Sequence, residues 1–333
     1  MSKPKIAFIG TGGTIASLGR GPLDIQDYGS AGNPVMHAEE ILAKWPEAHL
    51  VADIIPVRYK NIISPAISYP EWKDLAALCA ELVHDHPDLA GIVIGHGTAT
   101  LEETAYFLHL TIKVPVPVVI VGAQRPSSAL SSDAGMNLVN AIRVAASPDA
   151  RGLGVLVLLN DEIHAAREVT KTSTFRLQTF RTPDFGVLGH ADGDTVAFYR
   201  RPLRKGAPDT EFDISGLPEL PRVDIAYAYA GGDGTAVRAF VAAGAKGIVS
   251  AGFAPAFVPP GDFAALCEAV KQGVIVIQST RAGSGRTYRG KRLVDAGFLV
   301  ADNLNPQKAR ILLSLALTVT SDPDEIARIF RTY

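Results

Sequence analysis

The chain has 333 residues, enough for two domains of ordinary size, and its 47% apolar and 20% charged residues suit a globular protein with a sizeable core. A formal net charge of −2 gives no electrostatic reason to expect nucleic acid or an acidic membrane as partner. Cys79 and Cys267 lack CxxC spacing and read as buried thiols, not as a metal or redox motif, and no apolar run reaches the roughly 18 uncharged residues a membrane span requires.

In chain order, the first apolar run, "KIAFIGTGG", starts near residue 5, which leaves too little room after Met1 for a secretory signal; a cytoplasmic chain is expected. The run ends in a glycine-rich turn. Counting from Gly10, the sixth position is Ile15, so the dinucleotide fingerprint fails, and no Lys-Ser or Lys-Thr follows to make a phosphate loop. What remains is a turn offering backbone N–H groups and two hydroxyls, Thr11 and Thr14. A second glycine-rich segment, "LGRGPLDIQDYGSAG", follows. "YPEWKDLAALCAELVHDH" predicts an amphipathic helix, and its terminal His84 and His86 read as a solvated end before Pro87. "GIVIGHGT" predicts a buried strand that runs into Gly97 and Thr98. Thr100, three residues before Glu103, predicts the capping box of the next helix, "LEETAYFLHLTI", which leaves Thr98 without a structural role. The strands "VPVVIVGAQ" and "GVLVLLND" then flank the helix "AGMNLVNAIRVAA". In "REVTKTSTFRLQTF", Lys171 stands between two threonines and is a candidate for a desolvated amine.

Residues 201–221 carry four prolines and mixed charge and read as a connecting arm, because proline continues neither a helix nor a central strand. Three further strands, "DIAYAYAGGD", "GIVSAGFA" and "VIVIQSTR", alternate with helical patterns after it. The strand runs lack strict polar alternation, so both sheet faces are covered. The expected fold is α/β in two domains: a larger doubly wound sheet over 1–200 and a smaller parallel sheet over 222–333. Ligands of such sheets bind beyond the carboxyl ends of the strands, where Thr11, Thr14, Thr98 and the "GAQRPSS" turn fall.

The segments "TGGTIAS", "GHGTATLEETAYFL", "VGAQRPSSALSSD", "GVLVLLNDEIHAAREVTKTSTFRLQTF" and "LNPQKARILLSLALT" together resemble the bacterial-type L-asparaginase/glutaminase family over nearly the whole chain. The resemblance implies a homotetramer built from close dimers. It also implies hydrolysis of a small carboxamide through an acyl-enzyme without metal or cofactor. Thr14 matches the family's nucleophile. Tyr28 matches a lid tyrosine that helps activate it, Thr98 the second threonine, and Lys171 the lysine bonded to that threonine. Ser64 matches the serine that binds the substrate's α-carboxylate, and Gly13, Gly97, Ala99 and Ala123 fall at substrate-binding positions.

The chain departs from the family at several of these positions. Ala99 stands where the family has an aspartate that supports the lysine and grips the substrate's α-ammonium. Pro65 replaces a polar residue and Gly231 an asparagine. The loop from Thr280 to Leu293, which in the family supplies an acid to a neighbouring site, carries five bases and no acid. These departures favour an amide or related acyl substrate lacking the α-ammonium group. Two alternatives stay open: a conventional asparaginase/glutaminase, with or without an inactivating change at 99, and a non-catalytic binder of small carboxylates. A subunit of the archaeal tRNA-dependent amidotransferase, which shares the fold, carries an extra N-terminal domain for which a strand at residue 5 leaves no room.

Overall fold

The computed structural model describes residues 3–29 and 35–333. Met1, and the last residues of the segment carrying Tyr28 (30–32), lie outside them. The chain divides into two compact units, Met1–Thr210 and Glu211–Tyr333. Residues 201–210 of the proline-containing stretch thus belong to the first unit, and the rest to the second.

The strands of the larger unit are β1 (Lys5–Gly10), β2 (Asp53–Arg58), β3 (Leu89–Gly95), β4 (Val118–Val121) and β5 (Val155–Leu159), followed by β6 (Glu162–Ala165), β7 (Thr170–Lys171), β8 (Phe180–Arg181), β9 (Gly189–Ala191) and β10 (Val196–Phe198). Its helices are α1 (Ala38–Lys44), α2 (Ala48–Val51), α3 (Tyr69–Asp85), α4 (Leu101–Thr111) and α5 (Ala134–Ala146). Eight strands form one sheet in the order β10-β9-β6-β5-β4-β3-β1-β2, and β7 pairs with β8 apart from it. Pairing is parallel from β2 to β5; β6 then turns back against β5, and β6, β9 and β10 close that edge as antiparallel strands. The larger sheet is therefore mixed, which the apolar runs did not reveal.

Why the strands read as unbroken apolar runs is visible in their parity. Ile6, Phe8, Val93, Val119, Val121, Leu156 and Leu158 join one core cluster with residues of α1 and α5. Their neighbours Ala7, Ile9, Ile92, Ile94, Ile120 and Val157 are equally buried on the opposite face. β1, β3, β4 and β5 have no wet side, so alternation gives way to continuous burial, whereas β2 at the sheet edge exposes Asp53, Pro56 and Arg58. On α3, Ser68 and Glu71 form a capping box, with the Glu71 carboxylate accepting the Ser68 amide at 3.0 Å. The Trp72 ring of α3 stacks on Phe107 of α4 at 4.8 Å and its indole N–H donates to Thr104 at 2.9 Å.

The smaller unit has a parallel sheet in the order β11 (Val223–Tyr227), β12 (Gly247–Gly252), β13 (Ile275–Thr280) and β14 (Leu299–Val300). Its helices are α6 (Thr235–Ala242), α7 (Pro260–Lys271), α8 (Lys291–Asp295), α9 (Pro306–Val319) and α10 (Pro323–Thr332). Asn305 caps α9 by accepting the Lys308 amide at 3.1 Å, with Pro306 pre-set for the first turn. Cys79 is buried as expected, but Cys267 is only half-buried, because α7 turns that position partly outward. Among the described residues, no helix is long and apolar enough to cross a membrane.

Candidate active site

The site is built where three neighbouring strands of the larger sheet, β2, β1 and β3, end. Beyond β1 the chain makes a single helical turn, Thr14–Ala16. The Thr11 amide and hydroxyl both donate to the Gly95 carbonyl, at 3.0 and 2.9 Å, and so tie the ends of β1 and β3 together. The Ile62 amide donates to the Thr11 carbonyl at 2.9 Å and brings in the loop after β2.

Glycine is required at this junction. Gly13 has φ +80, and a Cβ on it would stand 2.2 Å from the Gly97 Cα. A Cβ on Gly97 would stand 2.6 Å from the Ser64 hydroxyl. Gly13→Ala is expected to cost roughly 2–4 kcal/mol, since it adds overpacking to a left-handed backbone. Urea unfolding of the variant checks this; a midpoint equal to wild type would mean the turn relaxes freely.

Two hydrogen-bonded side-chain pairs line the cavity at the junction. The Thr14 and Tyr28 hydroxyls share a hydrogen bond of 2.9 Å. The Lys171 amine donates to the Thr98 hydroxyl at 2.8 Å. Thr14 and Thr98 are each 8% exposed, enough to meet a ligand and little enough to keep bulk water away. Burial lowers the Lys171 pKa below the ordinary lysine value, opposed by the nearby Glu102 carboxylate. His96, wholly buried, is pushed down to about 4 by desolvation, against a hydrogen bond to the Gly97 carbonyl. That carbonyl lies 2.7 Å from its Nδ1, so the neutral ring carries its proton there and braces the turn holding Thr98.

Thr14, Tyr28, Thr98 and Lys171 line one cavity of about 360 Å³, with Gly13, Ser64, Gly97 and Ala99 beside them. Val35, Asn61, Ile62, Ile63 and Pro65 complete much of its wall. No aspartate or glutamate lines it among the described residues. The Ala123 side chain is fully buried in the core cluster and is not among the residues lining the cavity, which leaves only its backbone to meet a ligand. Thr100 is a correction. It precedes α4, but its side chain caps nothing; the hydroxyl donates instead to the Ser64 carbonyl at 2.8 Å. A bond across to the β2 loop outcompetes the local cap, and it fixes the backbone that presents Ser64.

Glu102 was missed by sequence reasoning. It is 6% exposed on the first turn of α4 and accepts the Lys171 amide at 3.1 Å and the Thr170 hydroxyl at 3.2 Å. The sequence gives no sign of it: α4 opens on two adjacent glutamates and carries Thr104, His109 and Thr111 besides, and only the fold buries Glu102. The bases of the 280–293 loop have partners inside the smaller unit. Arg281 stacks 4.7 Å from Phe253 and Arg292 lies 3.8 Å from the Phe263 ring centre. Arg289 donates to the Phe298 carbonyl at 2.8 Å, and Lys291 pairs with Asp295 at 3.0 Å. Arg286 reaches Asp302 at 3.6 Å.

Comparison with known proteins places this geometry. Residues 5–204 match the model of the asparaginase N-terminal domain, and residues 222–330 that of the glutaminase/asparaginase C-terminal domain. The chain is 42% identical to L-asparaginase 2 of Bacillus subtilis, covering 99% of this chain and 87% of that protein. It is 40% identical to L-asparaginase 2 of Escherichia coli, covering 100% and 94%. A crystal structure of a probable cytoplasmic L-asparaginase from Campylobacter jejuni superposes with a TM-score of 0.93 at 39% identity, covering 99% of this chain and 100% of that one. The chain belongs to the asparaginase family of amidohydrolases, which act on carbon–nitrogen bonds other than peptide bonds.

Proposed function

We propose that this protein hydrolyses a small carboxamide lacking an α-ammonium group, through an acyl-enzyme on Thr14. The observation that carries the reading is a cavity that keeps both hydrogen-bonded pairs, Thr14–Tyr28 and Thr98–Lys171, yet is lined by no carboxylate among the described residues. A cationic substrate group placed there would be desolvated without a counter-charge.

In the first stage the Thr14 oxygen attacks the amide carbon while its proton passes toward Tyr28. Backbone N–H groups of the 97–99 turn and the Thr98 hydroxyl receive the developing oxyanion. The C–N bond breaks as Tyr28 relays that proton to the nitrogen, and ammonia leaves. In the second stage the Lys171 amine, acting through Thr98, removes a proton from water; the water oxygen adds to the ester, and Thr14 leaves with its proton restored. Of the four groups, Lys171 has the environment suited to a base, since burial favours its neutral form.

The activity–pH profile tests that role. If neutral Lys171 is required, the rate rises with pH through the Lys171 pKa, which lies below the ordinary lysine value. Ala99→Asp adds a negative charge to the same cavity, favours the ammonium form and raises that pKa. The rising limb of the variant is expected about one pH unit higher on a substrate both proteins use. Coincident profiles would count against the coupling.

The substrate class is tested by ammonia release from a panel of amides with and without the α-amino group. For assembly and location we propose a cytoplasmic homotetramer of close dimers, in keeping with the family resemblance. Sedimentation velocity checks the assembly: a single monomer boundary at micromolar concentration would reject it.

A further inference from the structure

We propose that Asp24 is a positioning residue, whose side chain ties the anchored stem of the Tyr28 loop to its tip and so keeps the tyrosine hydroxyl on Thr14. The inference rests on the reading of Tyr28 as partner of the nucleophile.

The loop leaves the helical turn at Thr14 and returns over it at Tyr28. Its stem is fastened to the turn after β4: the Gly19 amide donates to the Ser128 hydroxyl at 2.7 Å, and the Leu130 amide to the Pro22 carbonyl at 2.8 Å. Its far side buries little apolar surface. Leu23 is 84% exposed and Ile25 41%, so apolar burial contributes little there. Ordering such a segment costs about 1–2 kcal/mol per residue in backbone entropy, and something other than burial has to offset it.

Asp24 provides a link between the two sides. One carboxylate oxygen accepts the Arg20 amide at 3.0 Å, on the stem. The other accepts the amide of Asp27, the residue before Tyr28, at 2.9 Å. The stem folds tightly onto this residue: a Cβ on Gly19 would stand 3.0 Å from the Asp24 Cβ. Amide hydrogen bonds, from Arg20 above all, hold the Asp24 carboxyl below the usual carboxylate range, which keeps it an acceptor at neutral pH. Asp24 is not among the residues that line the cavity, so its expected effect on turnover runs through where Tyr28 stands.

The test uses the full chain and succinamic acid, which is L-asparagine without its α-amino group, as the amide probe. Asp24→Ala is expected to lower kcat about tenfold or more, with KM changed by less than about threefold, because misplacing a reacting group acts on turnover rather than on ground-state binding. Asp24→Asn keeps one acceptor oxygen and is expected to recover part of the loss. Trypsin should cut Asp24→Ala after Arg20 several-fold faster than wild type, as local order is lost. In a Tyr28→Phe background, Asp24→Ala should cause no further loss, since both changes remove the same contribution. Wild-type kcat in both Asp24 variants, an undiminished Asp24→Ala effect in the Tyr28→Phe background, or unchanged cleavage after Arg20 would each overturn the proposal. Full activity of Tyr28→Phe would instead overturn the catalytic reading of Tyr28. The tryptic arm needs no turnover and reports on Asp24 whichever amide the wild type prefers.

Discussion

Replacing Thr14 by Ala is expected to end amide hydrolysis while leaving the fold in place. Removing the nucleophile of an acyl-transfer enzyme costs on the order of 10⁴-fold or more in kcat, because the remaining groups act as a unit with it. The structural cost is small by comparison. The hydroxyl gives up one hydrogen bond, to Tyr28, at a cavity wall. Such a bond contributes about 0.5–1.5 kcal/mol, so the melting temperature should fall by only a few degrees. The check is ammonia release from the best amide of the panel together with a thermal melt of the same sample. Thr14→Ser should retain measurable turnover, since it keeps an oxygen at the same place. A Thr14→Ala protein with near wild-type rate would end the acyl-enzyme proposal.

The second large effect is expected in substrate choice: L-asparagine and L-glutamine should be poor substrates beside the same amides without the amino group. Ala99 contributes only a methyl to the cavity wall, and the five bases of the 280–293 loop are engaged by partners of their own unit. Losing a charge-assisted hydrogen bond to a buried ammonium costs roughly 1.5–3 kcal/mol. Two such losses predict a fall of at least about a hundredfold in kcat/KM, at about 1.4 kcal/mol per tenfold. Ala99→Asp should restore part of the asparaginase activity and no more, because the second acid is still missing. Hydrolysis of L-asparagine by the unmodified protein at roughly 10⁴ M⁻¹s⁻¹ or above would overturn this reading and leave a conventional asparaginase.

How far the sequence alone led depended on whether a feature is local. Strands such as β3 and β4 are runs of apolar residues buried on both faces, and any window over them shows it. The antiparallel edge formed by β6, β9 and β10 was hidden because these strands are three or four residues long, and β6 and β9 carry polar residues. At the site, the glycines and hydroxyls after β1 and β3 were visible as turns, but nothing in their spacing pairs Thr98 with Lys171, seventy-three positions later. That pairing came from family resemblance, and the chain fold closes it at 2.8 Å. Thr100 shows the opposite error: a local rule, the capping box, was satisfied on paper and displaced by a bond to a loop remote in sequence. Asn61 and Val35 line the cavity with no signal at all: the position of β2 beside β1 brings Asn61 there, and an antiparallel bridge to Ser17 brings Val35.

The first strand to be synthesised, β1, lies inside the sheet between β2 and β3. On the ribosome it therefore waits with both edges unpaired, first for β2 and then for β3. The residues that line the cavity run from Gly12 to Lys171, so at about 5–20 residues per second the nucleophile turn emerges roughly ten to thirty seconds before the amine that completes the site. A nascent chain interrupted in that interval carries the threonine turn without Lys171 and exposes an apolar edge to other chains. Premature termination is thus expected to yield material for proteolysis and aggregation rather than a weaker enzyme, and any chaperone that serves this protein meets its greatest demand before the larger sheet is closed at β10.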